Sequence, residues 1–367
     1  MASESSMPRI DELFARMTEL GASDLHLKEN NSPIFRVDGR LRRTKSAALS
    51  NAQIHALVNE WLSPEHQAEL KERGNVDVAH EFAGGRVRVA IFLQKGRLSL
   101  VARLVKYRIP TLAELHLPQQ IERIVDFNEG LVLVCGVTGA GKSTTQACLL
   151  EMLNQKLPCH ILTFEDPIEF VYQDKLSIIN QREYRLDFHS WPDAIRAGVR
   201  ADPDVMLIGE MRDEDTFQLA LTAAETGHLV LGTMHTASAA GTIGRILDLF
   251  PPARHKLIRQ GLAFNLKAIL CQRLLPTVRE DVHRVPAMEV LWVNPSVRKA
   301  VEEGEDGRIG DLIQAGENEG MQSWTTSFVN LIREGFIDKK IAREFAPNTE
   351  ALEMALKGIS FSSSTLG

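Results

Sequence analysis

Cysteine is scarce in this chain, and its four cysteines, Cys135, Cys148, Cys159 and Cys271, lie far apart with no Cys-x-x-Cys pair among them. That argues against a zinc ribbon and fits reduced, mostly buried thiols. Long apolar runs are missing too: none approaches the ~20 residues that span a bilayer. The first eight residues have neither the basic region nor the apolar core of a signal peptide, so a cytosolic chain is expected, one able to dock on a membrane complex. Positive charge is not in excess. With 42 Lys and Arg against 48 Asp and Glu, the net charge of −6 gives no general attraction to nucleic acid, and no nucleic-acid partner is expected.

What is present is ordinary for a globular chain. At 367 residues, with 44% hydrophobic and 25% charged residues, it can bury a large core and divide into two domains. Residues 9–20 repeat apolar positions at helical spacing, Gly21 stops that helix, and residues 23–27 alternate as a strand. Residues 33–42 read as a hairpin turning at Asp38 and Gly39, and residues 51–73 as helix. Further hairpin turns are signalled at Gly84-Gly85 and Lys95-Gly96. Residues 1–105 therefore predict a small α+β domain with an antiparallel sheet. Residues 106–116, broken by Pro110, read as a linker.

From Gly130 the pattern changes. Short apolar strands at 131–135, 160–164, 204–208 and 229–234 alternate with helices, which predicts a parallel sheet covered on both faces. Beyond about residue 257 the chain reads as mainly helical, with a loose Ser-rich tail at 360–365.

The segment Gly136, Val137, Thr138, Gly139, Ala140, Gly141, Lys142, Ser143 follows the first of these strands and opens a helix. Glycines let backbone N–H groups wrap phosphates, and the helix N-terminus adds positive potential. Lys142 would reach the β- and γ-phosphates, Ser143 would ligate Mg²⁺, and Thr144 completes the cradle. An ATPase of this kind also needs a carboxylate at the end of a neighbouring strand. Glu210 answers that need after the 204–208 strand, and Glu165 ends the 160–164 strand. His228 and His235 flank one further strand and are candidates to sense the γ-phosphate. Arg196 and Arg200 lie one helical turn apart, while Arg86, Arg88 and Arg103 stand in the amino-terminal sheet. Any of these arginines could neutralise the charge that builds on a transferred phosphoryl group.

Taken in order, residues 136–144, 161–169, 200–204, 208–213 and 223–228 resemble the Walker A, Asp-box, Walker B and His-box of the secretion ATPase superfamily. Within it, the type IV pilus retraction ATPases, the PilT/PilU group, are the nearest look-alikes. The resemblance covers nearly the whole chain, including residues 21–26, 37–39 and 320–322. It implies a PAS-like amino-terminal domain, a RecA-like ATPase domain from residue 117 onward and a homo-hexameric ring. Such a ring uses ATP and Mg²⁺ to move an inner-membrane platform protein and withdraw pilin subunits, from a cytoplasmic position at the base of the pilus machine. On this chain the resemblance makes Glu165 the water-activating base and Glu210 the Mg²⁺-side carboxylate, two roles that could be exchanged. It makes His228 and His235 nucleotide-state sensors. The absence of cysteine pairs and of a long leader favours the retraction branch over pilus assembly ATPases. Three departures stand out: Val137 in place of the usual Pro, a divergent stretch at 296–302, and a tail beyond Phe345 closer to PilU. Two alternatives are an accessory or regulatory nucleotide-binding ring subunit of a paralogous motor and a secretion or DNA-uptake ring ATPase.

Overall fold

The computed structural model describes residues 9–37 and 39–357. The expected turn residue Asp38 and the Ser-rich tail lie outside the described residues. The chain divides into two compact units, one running to Arg108 and taking in Glu169–Val171, the other holding Ile109–Ile168 and the chain from Tyr172 onward. Phe170 joins the first unit because its backbone bridges to Lys106 in a short parallel pairing.

In the first unit the described strands are β1 (Ala22–Lys28), β2 (Ile34–Val37), β3 (Arg40–Arg43), β4 (Asn75–Phe82), β5 (Gly85–Gln94) and β6 (Arg97–Leu104). They pair antiparallel in the order β3-β2-β1-β6-β5-β4. Alternation sends Leu25, Leu27, Val87, Val89, Ile91, Leu100 and Ala102 to one face, where they form a core with Phe14 and Met17 of helix Ile10–Glu19. The span 51–73, expected as one helix, is two: Asn51–Asn59 and Pro64–Arg73. Pro64 has no N–H to extend a preceding helix, and the Ser63 hydroxyl caps the new one by accepting from the His66 N–H at 3.3 Å.

The second unit holds β7 (Gly130–Cys135), β8 (His160–Glu165), β9 (Ile178–Glu183), β10 (Val205–Ile208), β11 (Leu229–Met234), β12 (Leu266–Pro276) and β13 (Arg284–Trp292). Their order is β13-β12-β7-β11-β10-β8-β9, parallel throughout except for the antiparallel pair β12–β13. Every residue of β7, β10 and β11 is buried, so both faces of the sheet centre are covered, which is why those segments read as continuous apolar runs. The α/β class holds. The expected helical character past residue 257 needs correction, because β12 and β13 build one end of the sheet. Helix His255–Asn265 passes into β12 without a turn residue to mark the change, and Gln272 and Arg273 break the apolar run.

Candidate nucleotide-hydrolysing site

A parallel sheet delivers the loops after its strands to one carboxyl edge. The phosphate loop follows β7 there, and β11, β10 and β8 stand beside it in that order. Gly136 and Gly141 are required by a close neighbour. Their φ angles are +151° and +90°, and an added Cβ would come within 2.5 Å of the Gln272 carbonyl oxygen and 2.8 Å of its side-chain Nε2. Gln272 itself braces the loop from β12: its amide donates to the Ala140 carbonyl at 2.8 Å and accepts from the Thr145 hydroxyl at 2.6 Å. Lys142 opens helix Lys142–Lys156 and turns its ammonium to the Gly136 and Val137 carbonyls, at 2.8 and 3.3 Å. A cation and a helix N-terminus thus converge on one loop, the arrangement that binds phosphate. The Val137 side chain is 61% exposed, away from that cradle. A cavity of about 400 Å³ adjoins it, bounded by Gly141, Thr144, Leu115, Leu117, Leu274 and Pro286, apolar enough for a nucleoside face.

Glu210 lies two residues past β10, half-buried. His235 Nε2 stands 3.0 Å from its Oε1, and Arg212 pairs with its Oε2 at 2.5 Å. Burial pushes the Glu210 carboxyl up, but the Arg212 hydrogen bond and charge, with His235 and Lys142 behind them, outweigh it and hold it below its ordinary value. Glu210 is therefore a carboxylate at neutral pH. Glu165 is the last residue of β8 and is buried. The Thr163 hydroxyl and the Gln181 amide, on β8 and β9, donate to its Oε1 at 2.6 and 3.0 Å.

The sheet thus gathers the phosphate loop, Glu165, Glu210 and His235 on one edge. His228 stands at the opposite end of β11, roughly 20 Å of strand from His235. Its Nδ1 donates to the Ala223 carbonyl at 2.9 Å and closes the turn between helix Glu214–Glu225 and β11. Within one subunit His228 thus lies away from the edge that carries the phosphate loop. Arg196 pairs with Asp193 at 3.1 Å in the last turn of helix Trp191–Gly198, and Arg200 follows on the approach to the amino end of β10; both are exposed and neither is on the loop's edge. In the first unit Arg88 sits opposite Arg103 on neighbouring strands, Arg86 lies near Glu81 at 3.4 Å, and Arg103 donates to Asp24 at 2.8 Å. Gln272, Arg212, Thr163 and Gln181 were not foreseen. Thr163 and Arg212 fall inside the motif blocks 161–169 and 208–213, and Gln272 shows as an amide inside an apolar run.

Comparison with known proteins agrees with this geometry. The model of the type II/IV secretion system protein family matches residues 2–318. The type IV pilus retraction ATPase PilT of Pseudomonas aeruginosa is 40% identical, over 92% of this chain and 98% of that protein. The type IV pilus ATPase PilU of the same organism is 33% identical, over 95% and 91%. A crystal structure of the pilus retraction motor PilT with bound ADP superposes with a TM-score of 0.87 at 39% identity, covering 94% of this chain and 99% of that one. With motif order, sheet topology and end-to-end likeness all in agreement, the chain belongs to the type II/IV secretion system protein family.

Proposed function

We propose that this chain is the subunit of a ring-shaped ATPase that drives retraction of a type IV pilus. The end-to-end likeness to PilT carries this reading. Hydrolysis is supported by the chain's own residues: Lys142 and the loop amides bind the phosphates, the ionised Glu210 with His235 faces the γ-phosphate, and Glu165 activates water. The last two carboxylate roles are exchangeable on this geometry. Magnesium fits the donor set, since it takes oxygen ligands and keeps waters and substrate phosphates in its shell. Ser143 and, through water, Glu210 would hold it, and the bound ion would neutralise phosphate charge. Arg86, Arg88, Arg103, Arg196 and Arg200 are proposed to act on a nucleotide held by a neighbouring subunit, in a homo-hexamer docked on an inner-membrane platform protein from the cytoplasmic side.

A second reading, an accessory ring subunit beside a paralogous motor, is favoured by the likeness to PilU. Steady-state ATPase activity on the size-exclusion fraction, wild type beside Glu210→Gln, tests both. We expect turnover in a six-subunit species and a loss of roughly 10²-fold or more in the variant. A well-formed ring without turnover sinks the motor reading and moves the chain to the accessory class.

A further inference from the structure

One buried carboxylate lies outside the roles given so far. Glu289, on β13, is 8% exposed and sits opposite Cys271 in the β12–β13 register. Its Oε2 accepts the N–H of Ala239 at 2.7 Å. Ala239 is the first residue of helix Ala239–Leu247 and is fully buried, so its N–H has no water to turn to. The amide two positions on, at Gly241, is served locally by the Ser238 hydroxyl at 3.2 Å. The carboxylate from β13 is therefore an addition to a helix that already has an ordinary cap, and it comes from a strand three places away from β11 in the sheet.

What it ties down is the segment that carries His235. β11 ends at Met234 and the helix begins at Ala239, so only His235, Thr236, Ala237 and Ser238 lie between. That short span is laced to the helix. The Thr236 and Thr242 hydroxyls meet at 2.6 Å, and Thr242 Oγ1 donates to the Ser238 carbonyl at 2.8 Å. Thr242 also lies 3.6 Å from the Cys135 thiol, directly under the phosphate loop. A shift of the helix start would pass to His235, because the span has little slack in which to absorb it.

We propose that Glu289 is a positioning residue for ATP hydrolysis: by holding the Ala239 N–H it fixes the start of helix Ala239–Leu247 and so keeps His235 aimed at Glu210. The proposal rests on the ATPase reading above. It is tested on the full chain in its native assembly with Glu289→Met, which keeps the volume and removes the acceptor, and Glu289→Gln, which keeps an acceptor. Both are also made on a His235→Ala background. The readouts are kcat and KM for ATP, and amide hydrogen exchange of peptides covering residues 235–242 and 136–145. Glu289→Met should lower kcat about tenfold with KM within about twofold, and should speed exchange in 235–242 while leaving 136–145 unchanged. Glu289→Gln should stay within about threefold of wild type, and Glu289→Met should add no loss once His235 is Ala. Wild-type kcat in Glu289→Met overturns the proposal. So does a loss in Glu289→Gln as large as in Glu289→Met, or a full further loss on the His235→Ala background. Should Glu289→Met not assemble, Glu289→Ala replaces it, and failure of both assigns Glu289 to the fold alone. A wild-type ring without turnover would sink the function, and the exchange comparison would still decide the Glu289 tie.

Discussion

β11 carries a histidine at each end, and the two ends belong to different worlds. At the carboxyl end His235 stands 3.0 Å from a carboxylate held ionised beside the phosphate loop. At the amino end His228 closes a turn by donating to a backbone carbonyl. In sequence the two look alike, each a polar residue bounding the same apolar run. The difference comes from the parallel sheet, which makes one edge a meeting place for strand ends and leaves the other to the returning chain. Charged and polar side chains gather where loops from several strands converge: Lys142 after β7, His235 after β11, Glu210 after β10 and Glu165 at the end of β8.

The strongest way to break that comparison is at the loop. Lys142→Ala should lower turnover by roughly 10³-fold while the thermal midpoint stays close to wild type, because the ammonium bonds carbonyls of the loop and packs no part of the hydrophobic core. Wild-type turnover in that variant would show that the carboxyl edge is not the phosphate site.

The carboxyl side also keeps a buried carboxyl. Burial pushes the Glu289 carboxyl up to about 7, against the Ala239 N–H and the Arg273 charge, which pull it down. The folded state thus holds this proton more tightly than the unfolded chain does. The contribution is most favourable below the ordinary carboxyl value of 4.5, and it is lost as pH rises from there through about 7. Glu289→Gln removes the titration, so between about pH 5 and 8 wild type should lose about 3 kcal/mol relative to the variant, read as a widening gap in thermal midpoints. A gap that stays constant across that range would mean that the carboxyl is solvated or that the Ala239 bond cancels the effect of burial.

How much of this was legible in sequence follows from the same geometry. The phosphate loop, Glu210 and Glu165 were readable because each follows an apolar strand, and strand ends in a parallel sheet share an edge. The four central strands nearly match their observed limits because burial on both faces leaves predominantly apolar runs. β12 and β13 were hidden, since a strand entered directly from a helix carries no turn residue and a braced loop needs polar side chains mid-strand, as at Gln272. Gln181 carried no signal, because its value lies in β8 standing next to its own strand. The two histidines are alike in spacing, and only strand direction puts His235 on the loop's edge and His228 on the other.

The smallest effects give the sharpest version of the comparison. His235→Ala removes the imidazole that stands 3.0 Å from Glu210 without unpacking anything, its side chain being 43% exposed, so kcat should fall about tenfold with little change in thermal midpoint. His228→Ala should do the reverse. It leaves the carboxyl edge intact and deletes the bond to Ala223, which is worth about 1 kcal/mol, so the midpoint should drop by a few degrees and kcat per folded subunit should hold. Measuring both variants in one assay, with activity and melting recorded on the same samples, makes the contrast quantitative. If His228→Ala cost as much kcat as His235→Ala, the amino edge would have to reach a nucleotide after all. Because roughly 20 Å of strand separates it from its own loop, that nucleotide would belong to another subunit.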